Sequence, residues 1–183
     1  MNMHRLGLIF CLVFGWLCVP TASAGLISFS GDFAPANWTL TTNGGDGSVD
    51  TSGAPVSITL FGSDTGSVWQ VITLYSITLP SNITLDFYWH YLTFDSMGPF
   101  WDPAGYSVNG TWTQLSNSGG PNSQFGFVSG LSLSAGDTFA FYVDAVDDDF
   151  GPAQVTISGV PEPGTLALLG AGLGLIALCR RRR

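Results

Sequence analysis

The chain has 183 residues, of which 45% are hydrophobic and only 10% are charged. Its length suits one domain with processing segments at its ends. Of its thirteen acidic residues, Glu162 lies near the C-terminus and the other twelve are aspartates of residues 25–160, a segment with no lysine or arginine and a formal charge of −12. Such a segment has no group that could neutralise phosphates, which excludes nucleic-acid binding and disfavours anionic lipid and acidic polysaccharide as ligands.

The N-terminus has the pattern of a secretory signal peptide. Arg5 precedes an apolar run over residues 6–19, and the small residues of a cleavage site follow in Ala22-Ser23-Ala24. The run is shorter than the roughly 20 residues that span a bilayer, which disfavours a retained membrane anchor. We therefore predict a signal helix within residues 1–24, export by the Sec pathway and cleavage after Ala24 by signal peptidase.

Residues 25–159 predict an all-β domain. Short apolar runs alternate there with clusters of Gly, Pro, Asn, Asp and Ser, and no convincing helical period is present. Many short strands separated by turn residues are typical of an antiparallel β-sandwich or jelly roll. The predicted strands cover residues 26–29, 38–41, 56–61, 68–77, 83–94, 105–108, 111–115, 125–133, 138–146 and 153–157. The Gly-rich, polar residues 42–53 are predicted to form a loop.

The longest predicted strand, residues 83–94, alternates two kinds of side chain. Because successive side chains of a strand point to opposite faces, one set should line the core and the other a more polar face. The polar set includes His90, the only histidine that remains after signal removal, and a structural role is the ordinary one for such a residue. The predicted core set is Ile83, Leu85, Phe87, Trp89 and Tyr91.

Two tryptophans are candidates for glycan binding. Asn109-Gly110 predicts a two-residue hairpin, since both residues tolerate positive φ, and its register sets Ser107 opposite Trp112. Trp112 then falls on the polar face, where an aromatic ring can stack on a neutral sugar. Trp101, in the preceding loop, is a second candidate. The alternative is that loops cover both rings.

Acidic residues crowd the end of the predicted strand 138–146. Four aspartates within six positions repel one another unless they are solvated or bound to a cation, and no Lys or Arg of residues 25–160 can pair with them. Ca²⁺ is the suitable hard ion, because it takes six to eight oxygen ligands in flexible geometry. Two further aspartates flank the Trp101 loop and would complete the shell if the two loops meet; the alternative is a solvated acidic loop. The predicted ligands are Asp95, Asp102, Asp144, Asp147, Asp148 and Asp149.

The C-terminal residues 160–183 combine three elements in order. Pro161-Glu162-Pro163 precedes an apolar stretch over residues 164–179, and the chain closes on Arg180, Arg181, Arg182 and Arg183. A helix over residues 165–179 would extend roughly 22 Å, short of a bilayer core near 30 Å, although snorkelling arginines help to cover the difference. The arginines would hold this end in the cytoplasm. We predict a hydrophobic transmembrane helix that anchors the protein only transiently.

These three elements resemble the PEP-CTERM sorting signal of Gram-negative bacteria. The resemblance implies recognition by an exosortase, a membrane cysteine protease-transpeptidase, with cleavage near residues 161–163. It also implies transient anchoring in the inner membrane and then a place on the outer cell surface or in the exopolysaccharide matrix of a biofilm. Residues 102–110 and 135–144 resemble recurring pieces of PEP-CTERM ectodomains, which implies no named activity.

Little in the sequence supports an enzyme. The three cysteines lie at Cys11, Cys18 and Cys179, so residues 25–160 contain no thiol, no Lys or Arg, and one histidine. No G-x-S-x-G nucleophile motif is present. We predict a non-enzymatic, structural protein of the surface or matrix, a role that needs no binding site, and binding of neutral glycan is a refinement of that prediction. The alternatives are an enzyme that uses paired aspartates on a polysaccharide and a Ca²⁺-binding adhesion module.

Overall fold

The computed structural model describes residues 24–66 and 70–160. The predicted signal helix, its Ala22, the Pro161-Glu162-Pro163 motif, the C-terminal helix and the closing arginines lie outside the described residues. Among the described residues, no helix is long and apolar enough to cross a membrane.

Eleven strands form two sheets in the described part of the chain, which confirms the predicted all-β sandwich. Two single-turn 3₁₀ helices, Gly31–Phe33 and Pro35–Asn37, separate the first two strands. The strands are β1 (Ala24–Leu26), β2 (Thr39–Thr41), β3 (Ser48–Asp50), β4 (Ser57–Phe61), β5 (Val71–Thr78), β6 (Ile83–Thr93), β7 (Ala104–Val108), β8 (Thr111–Gln114), β9 (Ser123–Leu133), β10 (Thr138–Ala145) and β11 (Ala153–Ser158).

The larger sheet has the order β1-β6-β11-β4-β3, with β9 on the other side of β6. Only β1 pairs in parallel, along residues 84–86 of β6, and the other pairs of this sheet are antiparallel. The smaller sheet, β2-β5-β10-β7-β8, is antiparallel throughout. Largely antiparallel sheets such as these commonly pack one face against the core and leave the other face to solvent.

Aromatic side chains fill the space between the sheets. Trp38 lies at their centre, nearly parallel to the rings of Tyr75 and Phe141 at 5.1 and 5.8 Å between centroids. Its indole N–H donates to the carbonyl oxygen of Phe33 at 3.0 Å, so the one polar atom of this buried side chain is satisfied. The 3₁₀ turn that carries Phe33 is thereby fixed to the core.

The predicted core face of β6 is confirmed. Leu85, Phe87 and Tyr91 are fully buried, and Ile83 and Trp89 pack against the core while partly buried. The polar alternates point to the outer face of the larger sheet, as the two-residue period requires.

Each predicted strand overlaps an observed one, with shifts of a few residues at the ends. The prediction that residues 42–53 form only a loop is wrong, because β3 lies within them and pairs with β4. Its side chains are exposed or half-buried, so the segment lacks the apolar alternation by which a strand is recognised. The first strand also begins earlier than predicted, at Ala24.

The ends of the described domain lie together at one end of the sandwich. Gly159, directly after β11, comes so close to β1 and its extension that a Cβ there would be 2.0 Å from the carbonyl oxygen of Ile27. The opposite end includes three neighbouring loops, residues 62–66, 94–103 and 146–152. We call this opposite end the acidic end, because Asp64, Asp95, Asp102 and Asp147–Asp149 lie in these loops.

Candidate functional site

Trp112 lies on the outer face of the smaller sheet. The Asn109-Gly110 hairpin has the predicted register, with Ser107 opposite Trp112, and the indole is 48% exposed. Its ring meets that of Tyr142 edge to face, with centroids 4.7 Å apart and planes at 83°. This geometry is the one that aromatic quadrupoles favour, so the exposed indole is held in place by a second ring.

Gly105 makes room for this aromatic pair. A Cβ at that position would be 2.1 Å from the carbonyl oxygen of Thr113 and 2.8 Å from the Tyr142 hydroxyl. Because β7 has no side chain there, the Tyr142 ring lies across it and reaches Trp112 on β8. Burial raises the pKa of Tyr142 to about 12, with the negative charge of Asp144 adding to the rise, so the phenol is neutral at physiological pH.

Two neutral polar side chains lie beside the indole. Ser107 is paired with Trp112 across β7 and β8 and is 5% exposed, and Gln114 lies two residues further along β8 on the same face and is exposed. The Gln114 amide donates to Ser118 at 2.9 Å, which orients it along the edge of the sheet. We call this surface the Trp112 face; it consists of Ser107, Trp112, Gln114 and Tyr142.

Trp101 lies elsewhere, at the acidic end. It is half-buried, its ring meets Phe100 edge to face at 5.2 Å, and its carbonyl oxygen accepts the Val146 N–H at 2.8 Å. Trp101 precedes the first residue of β7, whereas Trp112 pairs with Ser107, near the last residue of β7. The structure therefore does not bring the two predicted tryptophans into one site.

A second aromatic surface, which the sequence analysis missed, lies on the outer face of the larger sheet. Tyr88 and Phe127 are paired across β6 and β9 with ring centroids 4.5 Å apart, and Phe125 beside them is 81% exposed. His90 is paired with Phe125, and its Nε2 lies 3.2 Å from the Ser123 hydroxyl oxygen. The alternation of Phe125 and Phe127 with glycine in β9 is the signal that could have revealed this face.

The loops of the acidic end are joined by main-chain hydrogen bonds. The Phe94 and Ser96 N–H groups donate to the carbonyl oxygens of Pro152 and Phe150, both at 3.1 Å. The Gly66 N–H donates to the carbonyl oxygen of Asp148 at 2.6 Å. Loops 94–103 and 146–152 therefore meet, as the predicted metal site requires, and loop 62–66 joins them.

Several carboxylates of this end are buried. Asp95 and Asp148 are inaccessible to solvent and Asp102 is 2% exposed. Asp102 Oδ2 accepts the Thr93 hydroxyl at 2.8 Å, and Asp95 Oδ1 accepts the Met97 N–H. Asp95 Oδ2 and Asp147 Oδ1 are buried without a hydrogen-bond partner. Burying an ionised oxygen without a partner is costly, so these two atoms call for an explanation.

The remaining predicted ligands point elsewhere. Asp144 lies on the outer face of the smaller sheet, where the Gln70 amide donates to its two oxygens at 3.1 and 2.9 Å. Asp148 accepts the N–H and hydroxyl of Thr65, and Asp149 accepts the N–H of Phe150. The six predicted residues therefore do not form one shell, and no three Asp, Glu, His or Cys side chains of the described residues are arranged to hold a metal ion.

The buried carboxyls affect one another electrostatically. Burial raises the pKa of Asp102 to about 7 against the hydrogen bond from Thr93, and the charges of Asp95, Asp147 and Asp64 add to the rise. Burial likewise raises the pKa of Asp95, with Asp147 and Asp64 again contributing. We call these four residues the loop carboxylates. The described residues contain no lysine or arginine to balance the negative charge of this group.

Residues 159–183 match the family model of the PEP-CTERM protein-sorting motif. The chain carries a PEP-CTERM sorting motif. This confirms the resemblance of the tail, and the motif implies export and membrane anchoring of a Gram-negative surface protein. No curated protein matches the sequence at a significant level.

Similar solved structures share little sequence with this chain. A carbohydrate-binding module of the β-sandwich superfamily is 10% identical with a TM-score of 0.38, over 75% of this chain and 62% of that one. The enzymatically active domain of tailspike protein 4 from bacteriophage CBA120 is 13% identical with a TM-score of 0.36, over 72% and 21%. A family 35 carbohydrate-binding module from Clostridium thermocellum is 15% identical with a TM-score of 0.29, over 66% and 87%. This chain therefore spans less than two thirds of the first two.

Proposed function

We propose that this protein is exported, cleaved by an exosortase near residues 161–163, and delivered to the outer surface or exopolysaccharide matrix of a Gram-negative bacterium. There it acts without chemical turnover and binds neutral glycan through the Trp112 face. The sorting motif supports the destination. The observation that carries the binding function is the exposed indole of Trp112, held by Tyr142 and flanked by the neutral amide of Gln114.

The Trp112 face suits a neutral sugar for physical reasons. The C–H groups of a pyranose ring pack on an aromatic face, while its hydroxyls need a neutral donor or acceptor nearby, which the exposed amide of Gln114 provides. The ring is already oriented by Tyr142, so binding loses little side-chain entropy. An anionic glycan would meet no cation on a domain whose formal charge is −12.

Burial argues against hydrolysis by the pair Asp95 and Asp102. A glycosidase needs both carboxyl groups beside the scissile bond. Asp95 and Asp102, the acids with raised pKa at the acidic end, are 0% and 2% exposed, so a polysaccharide cannot reach them in this conformation. The raised pKa of Asp102 therefore reflects a buried position rather than a poised general acid.

Retention on immobilised neutral polysaccharides, including the exopolysaccharide of the producing strain, tests the binding function. Trp112→Ala should weaken retention about tenfold or more, because a centrally placed Trp is worth ~1.4 kcal/mol or more at such interfaces. Trp112→Phe should retain part of the binding. Trp101→Ala and Phe125→Ala are matched aromatic controls that should bind as the wild type does.

Other outcomes would change the proposal. Loss of retention in Trp101→Ala or Phe125→Ala alone would move the site to the acidic end or to the larger sheet. Failure of the wild type to bind any polysaccharide of the panel would leave a structural role in the matrix as the only function. Sorting is tested separately by measuring the intact mass of the protein in the surface fraction. This mass should match a chain that begins at Gly25 and lacks the four arginines that end the chain.

A further inference from the structure

Two oxygens at the acidic end have no partner although they are buried. Asp95 is inaccessible to solvent, and its Oδ2 accepts no hydrogen bond while its Oδ1 is occupied by the Met97 N–H. Asp147, from the loop that meets the Asp95 loop, is half-buried, and its Oδ1 is a buried atom that also has no hydrogen-bond partner. Buried side-chain polar atoms are satisfied in most proteins, so two unsatisfied carboxylate oxygens in adjoining loops indicate a missing ligand.

A ligand of these two oxygens must be positive or donate protons. Loops 94–103 and 146–152 are joined by main-chain hydrogen bonds, and Asp95 and Asp102 lie within electrostatic range of Asp64 and Asp147. Residues 25–160 contain no lysine or arginine, and His90, the one histidine among the described residues, lies on the outer face of the larger sheet. No side chain of the described residues can therefore supply the positive charge.

We propose that a Ca²⁺ ion binds between loops 62–66, 94–103 and 146–152, with Asp95 Oδ2 and Asp147 Oδ1 as ligands. Asp64 and Asp102 contribute negative potential beside it. The inference does not depend on glycan binding, because the acidic end lies away from the Trp112 face.

The chemistry of the loops selects Ca²⁺. The available ligands are oxygens only, which disfavours zinc and copper. Ca²⁺ takes six to eight oxygens and accepts main-chain carbonyls and water among them, so two carboxylates suffice as its anionic ligands. The remaining ligands would be main-chain carbonyls and water, because no three Asp, Glu, His or Cys side chains of the described residues are arranged to hold a metal ion. Mg²⁺ is less suitable, because it demands a near-ideal octahedron that three irregular loops do not offer.

Calorimetric titration of the full chain in mild detergent with CaCl₂, after removal of divalent ions by chelator, tests the site. We expect saturable binding of one ion in the micromolar to millimolar range and a rise in Tm of several degrees with millimolar Ca²⁺. MgCl₂ at equal concentration should raise the Tm less. The added ion is the only probe, so the result is independent of any glycan.

Three variants locate the site. Asp95→Asn and Asp147→Asn keep the shape of the side chain and should each weaken Ca²⁺ binding at least tenfold and remove most of the Tm rise. Without Ca²⁺ the two variants should be at least as stable as the wild type, because each substitution removes one acidic group from the loop carboxylates. Measuring Tm without Ca²⁺ therefore distinguishes loss of the Ca²⁺ site from misfolding. Asp32→Asn, an exposed acid near the other end of the sandwich, should respond to Ca²⁺ as the wild type does.

Two results would overturn the proposal. One is the absence of both binding heat and a Tm shift at millimolar Ca²⁺. The other is a Tm shift of equal size in the wild type, Asp95→Asn and Asp147→Asn, which would assign the effect to general screening of the acidic surface.

Discussion

Gly105 shows how one missing side chain shapes a surface. The Tyr142 ring occupies the space in which a Cβ of residue 105 would stand, and only there can it support Trp112. In most strand positions alanine is favoured over glycine by about 0.5–1 kcal/mol, because glycine loses more backbone entropy on folding. The contacts at Gly105 reverse that preference.

We predict that Gly105→Ala lowers the free energy of unfolding by about 1–3 kcal/mol, because the new methyl group overlaps the Thr113 carbonyl oxygen and the Tyr142 hydroxyl. Denaturant unfolding measures the change. Gly119→Ala is the control, since the nearest atom to a Cβ there is 3.8 Å away. Equal stability of the two variants would show that Tyr142 moves aside without cost.

At the scale of the element, the β7–β8 hairpin is joined to the β9–β10 turn. Asn109 and Gly110 both have positive φ, 51° and 79°, as a two-residue turn of this kind demands. The Asn109 amide donates to Asp137 Oδ1 at 2.8 Å, and its oxygen accepts the Thr138 N–H at 2.8 Å. The Ser134 N–H donates to Asp137 Oδ2 at 2.7 Å. Asp137 is therefore shared by two turns.

This link predicts a dependence of stability on pH. The Asn109 amide and, to a lesser degree, the Ser134 N–H lower the pKa of Asp137 in the folded protein. A lowered pKa contributes stability that is present above the unfolded value near 3.8 and is lost as pH falls through the folded pKa. Asp137→Asn should therefore be less stable than the wild type at neutral pH, with the difference disappearing in acid. Parallel stability curves for the two proteins at every pH would contradict this role.

Elements specified by local chemistry could be predicted from the sequence, and those specified by distant contacts could not. The Asn109-Gly110 turn was recognisable because the requirement for positive φ acts within two residues. β3 was not, because its pairing with β4 involves exposed side chains. Asp144 and Asp147 are neighbours in sequence, which predicts a shared metal site, yet Asp144 points out of the smaller sheet and accepts a hydrogen bond from Gln70. Asp64 joins Asp147 only because three loops meet.

At the scale of the whole molecule, the uncompensated charge governs association. Residues 25–160 carry twelve aspartates and no lysine or arginine, so two copies repel each other at neutral pH and low salt. We predict that self-association increases as pH falls towards carboxyl pKa values of about 3.9. Light scattering across a pH series measures the effect, with added salt at neutral pH as the second way to weaken repulsion. A particle size that changes with neither variable would contradict the prediction.

The position of β11 has a mechanical consequence. This strand leads directly to the sorting motif, and it lies between β6 and β4, with ladder pairs on both sides. Tension applied through the C-terminal segment pulls β11 along its own axis, so the hydrogen bonds of both ladders are loaded in shear and must rupture together. A tether at this strand therefore transmits force into the middle of the larger sheet, where a peripheral strand such as β3 would peel away bond by bond.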